Sequence, residues 1–185
     1  VVGFDFCFGK NRKYCIEKLK ELFKGVVIVI EEIKLDNIAV HSRIIRDYIK
    51  NGDIKMANKL LGKKYKIYGQ KIKGQGLGAK SFVPTINLKV DEFLLPNEGV
   101  YITKTILDEQ EFNSITFLGH RFTTDGSYAV ETHILDRDIE DKDYTTQIKF
   151  CEKLRDNKKF DSFEELKNQI LDDIKSAKNY FINIY

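Results

Sequence analysis

The sequence predicts a mainly β protein with α elements: a β-barrel or β-sandwich, preceded by a short α/β region and followed by one helix. Three observations lead to this class. Short alternating apolar and polar segments, separated by turn residues, fill positions 65–153. Ahead of them, a helical pattern lies between two strand-like runs, as in a βαβ unit. Behind them, apolar residues recur at three- and four-residue steps.

The first 61 residues predict one strand–helix–strand unit and a helical hairpin. The β-branched run at 26–30 is typical of a buried strand in a parallel sheet. In the hairpin, Asn51 and Gly52 form the break, Asp53 is the expected N-cap, and Gly62 ends the second helix. The predicted elements are a strand at 1–6, a helix at 15–23, a strand at 26–30 and helices at 42–50 and 53–61.

The β region is expected to contain six strands, and the helix after it is amphipathic. The strands are predicted at 65–73, 86–90, 99–107, 111–118, 128–136 and 145–153. Ser162 followed by Glu165 is a capping-box pattern that predicts the start of the last helix. Its apolar stripe consists of Phe163, Leu166, Ile170, Ile174, Ala177 and Phe181.

Composition favours a soluble cytoplasmic protein. Of the 185 residues, 42% are hydrophobic and 32% are charged, and the net charge of +3 permits an anionic small molecule without demanding a nucleic acid or a membrane surface. Three isolated cysteines, without a CxxC pair, predict free and mostly buried thiols rather than a disulfide framework. No apolar run approaches a membrane span and no signal peptide opens the chain, which starts as if it were part of a longer protein.

A glycine-rich stretch at 71–80 leaves the first predicted strand of the β region. Such a loop lets backbone N–H groups approach phosphate oxygens closely, while its lysines supply positive charge. A plain flexible hairpin loop is an equally valid interpretation of the same residues. The residues concerned are Gly74, Gly76, Gly78, Lys71, Lys73 and Lys80.

Thr85 and Asn87 are the candidate metal ligands. They lie two positions apart, so in an extended segment both side chains project from one face. A hydroxyl and an amide carbonyl are hard oxygen donors that suit magnesium, although Pro84 and these two residues also fit an ordinary turn into a strand.

Glu131 is the candidate general base. Alternation along 128–135 places it with His133 on the face opposite Val130 and Thr132. A carboxylate in a mostly apolar strand can serve a cleft or face water on the outside of a sheet, and His133 is expected to be structural.

Seven short segments then follow one another at 57–62, 74–78, 84–88 (PTINL), 99–101, 130–135 (VETHIL), 154–156 and 159–163. Together they resemble the riboflavin kinase domain that ends bacterial bifunctional FAD synthetases. The resemblance implies a six-stranded Greek-key barrel with a C-terminal helix over residues 62–185. It also implies an enzyme that converts riboflavin to FMN with ATP and Mg²⁺.

The resemblance also assigns roles. Thr85 and Asn87 match magnesium ligands beside the ATP, Glu131 matches the base at the ribityl 5′-hydroxyl, and Arg155 matches a mobile loop on the flavin side. The flap over the ATP phosphates is matched by the loop with Gly74, Gly76, Gly78 and Lys80.

Residues 1–61 resemble the end of the partner FMN adenylyltransferase domain, through VGFDFCFGK at 2–10 and HSRIIR at 41–46. The resemblance implies an upstream nucleotidyltransferase segment in the parent chain, so this chain is expected to make FMN but not FAD. Three departures stand out: no glycine at 81–83, Ile86 in place of a small residue, and Arg43 in place of a threonine.

Two other functions remain open. One is a flavin- or nucleotide-binding module without catalysis, against which the joint retention of Thr85, Asn87 and Glu131 argues. The other is a small β-barrel that binds single-stranded nucleic acid, with lysines interleaved between aromatic rings. Its surface would consist of Lys59, Lys63, Lys64, Lys66, Lys71, Lys73, Tyr65 and Tyr68.

Overall fold

The computed structural model describes residues 1–74, 83–123, 125–140 and 142–183. The contacts between Cα atoms divide the chain into two compact units, Val1–Ile44 and Ile45–Tyr185. The helices are α1 (Ile16–Leu22), α2 (Ser42–Lys50), α3 (Ile54–Leu61) and α4 (Phe163–Ile182). The strands are β1 (Val2–Gly3), β2 (Val29–Ile30), β3 (Lys34–Leu35), β4 (Ile38–Ala39), β5 (Lys66–Ile72), β6 (Ile86–Lys89), β7 (Gly99–Leu107), β8 (Gln110–His120), β9 (Tyr128–Ile134) and β10 (Thr145–Asp156). In these parts of the chain no helix has the length and apolarity needed to cross a bilayer.

The first unit contains the expected strand–helix–strand motif, since β1 pairs in parallel with β2 and α1 lies between them in sequence. The predicted burial of residues 26–30 is wrong. Val26 is 84% exposed and Ile30 is 47% exposed, and only Val29–Ile30 forms a strand. The physical reason is that β1 and β2 form a sheet of two strands within the described residues, which has no second layer to cover this run.

The strands β3 and β4 form a short hairpin that was not predicted from the sequence. Its turn consists of Asp36 and Asn37, both with positive φ (50° and 64°), as a two-residue hairpin of the type I′ class requires. Asp-Asn is a recognisable signal for such a turn, but strands of two residues are too short to show an alternating pattern.

The prediction of three free thiols is wrong for two of the cysteines. Cys7 and Cys15 are joined by a disulfide that closes a short loop, with their Cα atoms 4.1 Å apart. Chain folding brings the two side chains together because Phe8 and Tyr14 form an antiparallel bridge just inside that loop. Cys151 is buried and free as predicted, and burial raises the pKa of its thiol. The cytoplasmic location, which rested partly on free thiols, stays a prediction.

The helical hairpin forms where it was expected. The Asp53 carboxylate accepts a hydrogen bond from the Met56 N–H at 3.1 Å and so caps α3, and Gly62 ends that helix with φ of 65°. Asn58 ties α3 to the β region, because its amide donates to Phe150 O (2.9 Å) and its carbonyl accepts from Tyr65 N (2.6 Å). The domain boundary between 61 and 62 stays a prediction.

The six predicted strands of the β region all form, and they close into a barrel rather than a sandwich. The order around the barrel is β5, β6, β9, β8, β7, β10, and every neighbouring pair, including β10 with β5, is antiparallel. This confirms the six-stranded barrel with a C-terminal helix.

The barrel interior has an apolar part and a polar part. The apolar part is a cluster of buried side chains that includes Tyr101, Leu118 and Phe150. The polar part is a closed ring of five hydroxyl groups, none of them exposed, with successive O···O distances of 2.8, 2.8, 2.9, 3.0 and 2.8 Å. In order around the ring its members are Thr103, Ser114, Thr105, Thr132 and Thr116. Each hydroxyl can donate one bond and accept one, so the ring satisfies all five.

Helix α4 covers one outer side of the barrel. Ala177 and Phe181 are buried against Val100, Ile102 and other side chains on the outward face of the strands. The Ser162 hydroxyl accepts a hydrogen bond from the Glu165 N–H at 3.1 Å, which confirms the predicted cap. Phe163 departs from the predicted stripe, since it is 67% exposed.

Candidate active site

The pairing of β6 with β9 brings the two main candidate residues together. Asn87 lies directly opposite Glu131 in the strand register. The Asn87 side chain is buried, Glu131 is half-buried, and Thr85 is exposed just before β6. The candidate base and the candidate metal ligands therefore lie at one place on the barrel wall.

Arg121 joins Asn87 to Glu131, and it is not among the site residues predicted from the sequence. The Arg121 Nη2 donates to Asn87 Oδ1 (2.8 Å) and to Glu131 Oε1 (2.5 Å), and Nε donates to the same Glu131 oxygen (3.0 Å). Nη1 donates to Ser127 Oγ at 2.7 Å. Arg121 follows β8 and begins the turn to β9, outside the motifs considered in the sequence. The available signal was a charged residue directly after a strand whose second half is mostly buried.

Gly74, which the sequence assigned to the phosphate-binding loop, lies against Asn87. A Cβ atom added at Gly74 would be 2.6 Å from Asn87 Nδ2, closer than such atoms approach. This close approach requires glycine here. The other predicted loop residues, Gly76, Gly78 and Lys80, lie outside the described residues.

His133 holds the segment that carries Thr85. Its Nδ1 lies 2.8 Å from the carbonyl oxygen of Pro84, which can only accept, so Nδ1 carries the proton. Burial lowers the pKa of His133, and the bond to Pro84 opposes that effect. The contact is the structural role that was expected for His133.

Arg155 belongs to strand β10, so its predicted position in a mobile loop is wrong. The strand continues to Asp156 because Arg155 pairs with Val100 of β7 after an irregularity in the register. Its guanidinium binds the buried Asp173 carboxylate of α4 through Nε (3.0 Å to each oxygen) and Nη2 (2.8 Å). Arg155 therefore fastens α4 to the end of the strand.

A second polar cluster joins the ends of β8 and β10. Glu98 binds the His120 ring at 2.7 Å and the His120 N–H at 3.1 Å, and it also accepts from Asn157 Nδ2 at 2.9 Å. Although its partial burial raises the pKa of Glu98, these hydrogen bonds outweigh that effect and lower it overall. Nearby, the Phe160 N–H donates to the Thr123 hydroxyl at 3.2 Å.

One cavity of about 1410 Å³ connects these groups. Its lining includes Thr85, Asn87, Arg121 and Glu131, and also Arg155 and Phe163. A site for one drug-sized ligand has a volume of about 300–1,000 Å³. The volume of this cavity is large enough for more than one small-molecule ligand.

The donor set suits magnesium held jointly with phosphates. No group of three or more His, Cys, Asp or Glu side chains that could hold a metal is found within the described residues. Mg²⁺ is commonly bound by one or two protein oxygens, with water and substrate phosphates completing its shell. The Thr85 hydroxyl and the Asn87 carbonyl fit that pattern.

The fold and site define a β-barrel protein whose cleft combines a carboxylate, an arginine and hard oxygen donors. The family model described as "Flavokinase: Riboflavin kinase" matches residues 61–181. The chain therefore belongs to the riboflavin kinase family.

Known proteins of this kind are longer. A bifunctional riboflavin kinase/FMN adenylyltransferase of Haemophilus influenzae is 34% identical over 185 residues, covering 97% of this chain and 60% of that protein. One from Bacillus subtilis is 28% identical, covering 100% of this chain and 60% of its own length. This chain thus spans about 60% of the curated relatives it matches.

A solved structure shares the fold. The crystal structure described as a macrolide-efflux protein from Streptococcus pneumoniae superposes with a TM-score of 0.85 at 31% identity, over 96% of this chain and 59% of that one. Efflux is the description of that protein, whereas the family model and the sequence relatives name flavin chemistry.

Proposed function

We propose that this chain transfers the terminal phosphoryl group of ATP to the 5′-hydroxyl of riboflavin and so forms FMN. The observation that carries the proposal is the register of β6 and β9, which sets the Glu131 carboxylate beside the Asn87 amide in the cavity. Membership of the riboflavin kinase family identifies the substrate class.

The proposed roles follow from the chemistry of each side chain. Glu131 accepts the proton of the ribityl hydroxyl as that oxygen bonds to phosphorus. Thr85 and Asn87 would hold Mg²⁺, which when bound neutralises charge on the phosphate oxygens. Gly74 would contact the nucleotide, and the part of the cavity beside Arg155 and Phe163 would take the flavin ring.

For the whole protein we propose a second activity, the adenylylation of FMN to FAD. The relatives named for both activities extend well beyond this chain, and residues 1–61 would supply the end of the adenylyltransferase domain. Arg43, which replaces the family threonine, bears on that activity alone.

The nucleic-acid alternative loses one of its two rings. Tyr65 stacks on Phe150 with ring centres 6.3 Å apart, and its hydroxyl donates to Leu94 O at 2.9 Å. A ring held in this way cannot stack on a base.

The test is chromatographic analysis of riboflavin, ATP and Mg²⁺ incubated with this chain, with FMN and FAD quantified separately. We expect FMN without FAD. Formation of no FMN would refute the proposal and favour a binding module without catalysis.

The role of Glu131 is tested by Glu131→Gln, which keeps the shape of the side chain but removes its basicity. We expect turnover to fall by about 10²–10⁴-fold while riboflavin and ATP still bind. The exposed Glu109→Gln is the matched control. Unchanged turnover in Glu131→Gln would remove Glu131 from the mechanism.

A further inference from the structure

We propose that Arg121 is a further catalytic residue, whose guanidinium contacts the phosphoryl group while it is transferred. The inference rests on the proposed function, because it takes Glu131 as the base and Asn87 as a group beside the nucleotide phosphates. It adds a positively charged contact that neither the sequence motifs nor the family resemblance assigned.

The first observation is the position of the guanidinium. A single nitrogen, Nη2, lies within hydrogen-bond distance of both Asn87 Oδ1 (2.8 Å) and Glu131 Oε1 (2.5 Å). In a transfer reaction the donor phosphate and the acceptor hydroxyl approach each other in line. If the phosphate lies at Asn87 and the hydroxyl at Glu131, the moving group passes between the two side chains that Nη2 touches.

The second observation is that Arg121 is held in place from behind. Its Nη1 donates to Ser127 Oγ, and that hydroxyl donates in turn to Asp125 Oδ1 at 2.9 Å. The backbone reinforces the turn, because the Arg121 N–H donates to Ser127 O at 2.9 Å. A donor fixed in this way needs little rearrangement when charge develops next to it.

The third observation concerns which atoms of Glu131 are used. Nε and Nη2 of Arg121 both donate to Glu131 Oε1, and we expect the substrate hydroxyl to approach Oε2. The Nε contact can persist when a phosphate oxygen replaces Asn87 Oδ1 or Glu131 Oε1 as the acceptor of one Nη2 hydrogen, with little movement of the guanidinium. The carboxylate would therefore stay oriented during the reaction.

The proposed step is a direct transfer of the phosphoryl group from ATP to riboflavin. The 5′-oxygen of riboflavin forms a bond to the γ-phosphorus, and its proton passes to Glu131. The bond between the γ-phosphorus and the β,γ-bridging oxygen breaks, and its electron pair stays on the departing ADP. Arg121 donates to an equatorial oxygen of the phosphoryl group throughout, and its positive charge opposes the repulsion between that group and the Glu131 carboxylate.

The pair of Arg121 and Glu131 can be compared with the structural pair of Arg155 and Asp173. Arg155 binds one carboxylate, and the side chain of that Asp173 is only 6% exposed. The two arginines are exposed to a similar degree, 20% for Arg155 and 16% for Arg121, and both line the cavity. The difference lies in the carboxylates, because the Glu131 side chain is 24% exposed and that of Asp173 is almost covered. The carboxylate that Arg121 binds is therefore open to a ligand.

The experiment compares two nucleotides on one protein. Binding of ADP and of the non-hydrolysable β,γ-methylene analogue of ATP, each with Mg²⁺, is measured by titration calorimetry for the wild type, Arg121→Met and Arg121→Lys. We expect Arg121→Met to weaken binding of the analogue about tenfold and to leave ADP binding unchanged, because only the analogue carries the γ-phosphate. Turnover should fall by at least about 10²-fold, and Arg121→Lys should restore part of both.

Arg12→Met is the matched control, since Arg12 is exposed and its side chain donates to the Asp5 carbonyl oxygen. Equal losses for ADP and the analogue, or no loss for either, would overturn the proposal and assign Arg121 a structural role. Tighter binding of both nucleotides would also overturn it, by showing that Arg121 competes with the metal. If Arg121→Met fails to fold, Arg121→Lys decides by the same comparison. A wild type that binds neither nucleotide and forms no FMN would instead refute the proposed function.

Discussion

Replacing Thr116 by valine cuts the hydroxyl ring inside the barrel, and the cost can be worked out from its geometry. Thr116 bonds to Thr103 at 2.8 Å and to Thr132 at 3.0 Å. Valine has nearly the shape of threonine, so no cavity forms and the loss is that of two buried hydrogen bonds. At about 0.5–1.5 kcal/mol each, the free energy of unfolding should fall by about 2 kcal/mol. For a chain of this length, that lowers Tm by about 4–8 °C.

The closed ring makes a sharper prediction for Thr103→Val combined with Thr116→Val. Each single variant removes two bonds and leaves two neighbours short of a partner. The double variant removes three bonds, since the two sites share one, and still leaves only two such neighbours. We therefore expect its cost to be smaller than the sum of the single costs by at least about 1 kcal/mol.

Urea unfolding followed by circular dichroism measures all three variants. Thr145→Val is the control, because Thr145 is exposed, and it should change the free energy of unfolding by less than about 0.5 kcal/mol. Strict additivity of the two ring substitutions would refute the reasoning, because it would mean that the hydroxyls act as independent pairs.

Two further variants test the site and the barrel surface. Gly74→Ala should raise the KM for ATP about tenfold and leave riboflavin binding unchanged. The new Cβ atom would lie only 2.6 Å from Asn87 Nδ2 and would push that amide out of position. Initial rates at varied ATP concentration measure the effect. Glu111→Gln should flatten the dependence of stability on pH: hydrogen bonds from Lys104 and Lys149 lower the pKa of Glu111 from 4.5 to about 2. A carboxylate with a lowered pKa stabilises the fold at pH values above its ordinary pKa, and this stabilisation is lost as the pH falls toward its pKa in the folded protein. Between about pH 6 and about pH 3, the free energy of unfolding measured in urea should therefore fall less for the variant than for the wild type. This difference between the variant and the wild type should be about 1 kcal/mol for each ion pair, because all three side chains are partly exposed to solvent.

The barrel could be predicted from sequence because each of its strands carries its own signal. Tyr101 and Thr103 face inward while Val100 and Ile102 face α4, and this alternation is visible without any knowledge of neighbours. The exposure of residues 26–30 could not be predicted in the same way. An apolar run indicates a strand that is stabilised by burial, but it does not show whether another layer is present to bury it. The Cys7–Cys15 disulfide likewise depends on a loop geometry that their spacing does not reveal.

The site was only partly predictable for a related reason. The residue types at Thr85, Asn87 and Glu131 suggested metal and base chemistry, but their meeting depends on β6 pairing with β9, and two intervening strands separate these in sequence. For Arg121 the only local signal is a charged residue directly after a strand, which does not distinguish it from a surface residue. Its proposed role depends on the contacts with Asn87 and Glu131 that the fold creates.

The closure of the barrel also sets the order in which it can be completed during synthesis. β5 is the first barrel strand to leave the ribosome, yet one of its two partners is β10, where Lys66 pairs with Lys149. Until that distant strand has been made, one edge of β5 offers unpaired backbone groups to any passing chain. Contacts of such long range slow folding, and they keep partly made chains exposed to aggregation. The nascent protein is therefore expected to depend on chaperones until β10 has been added.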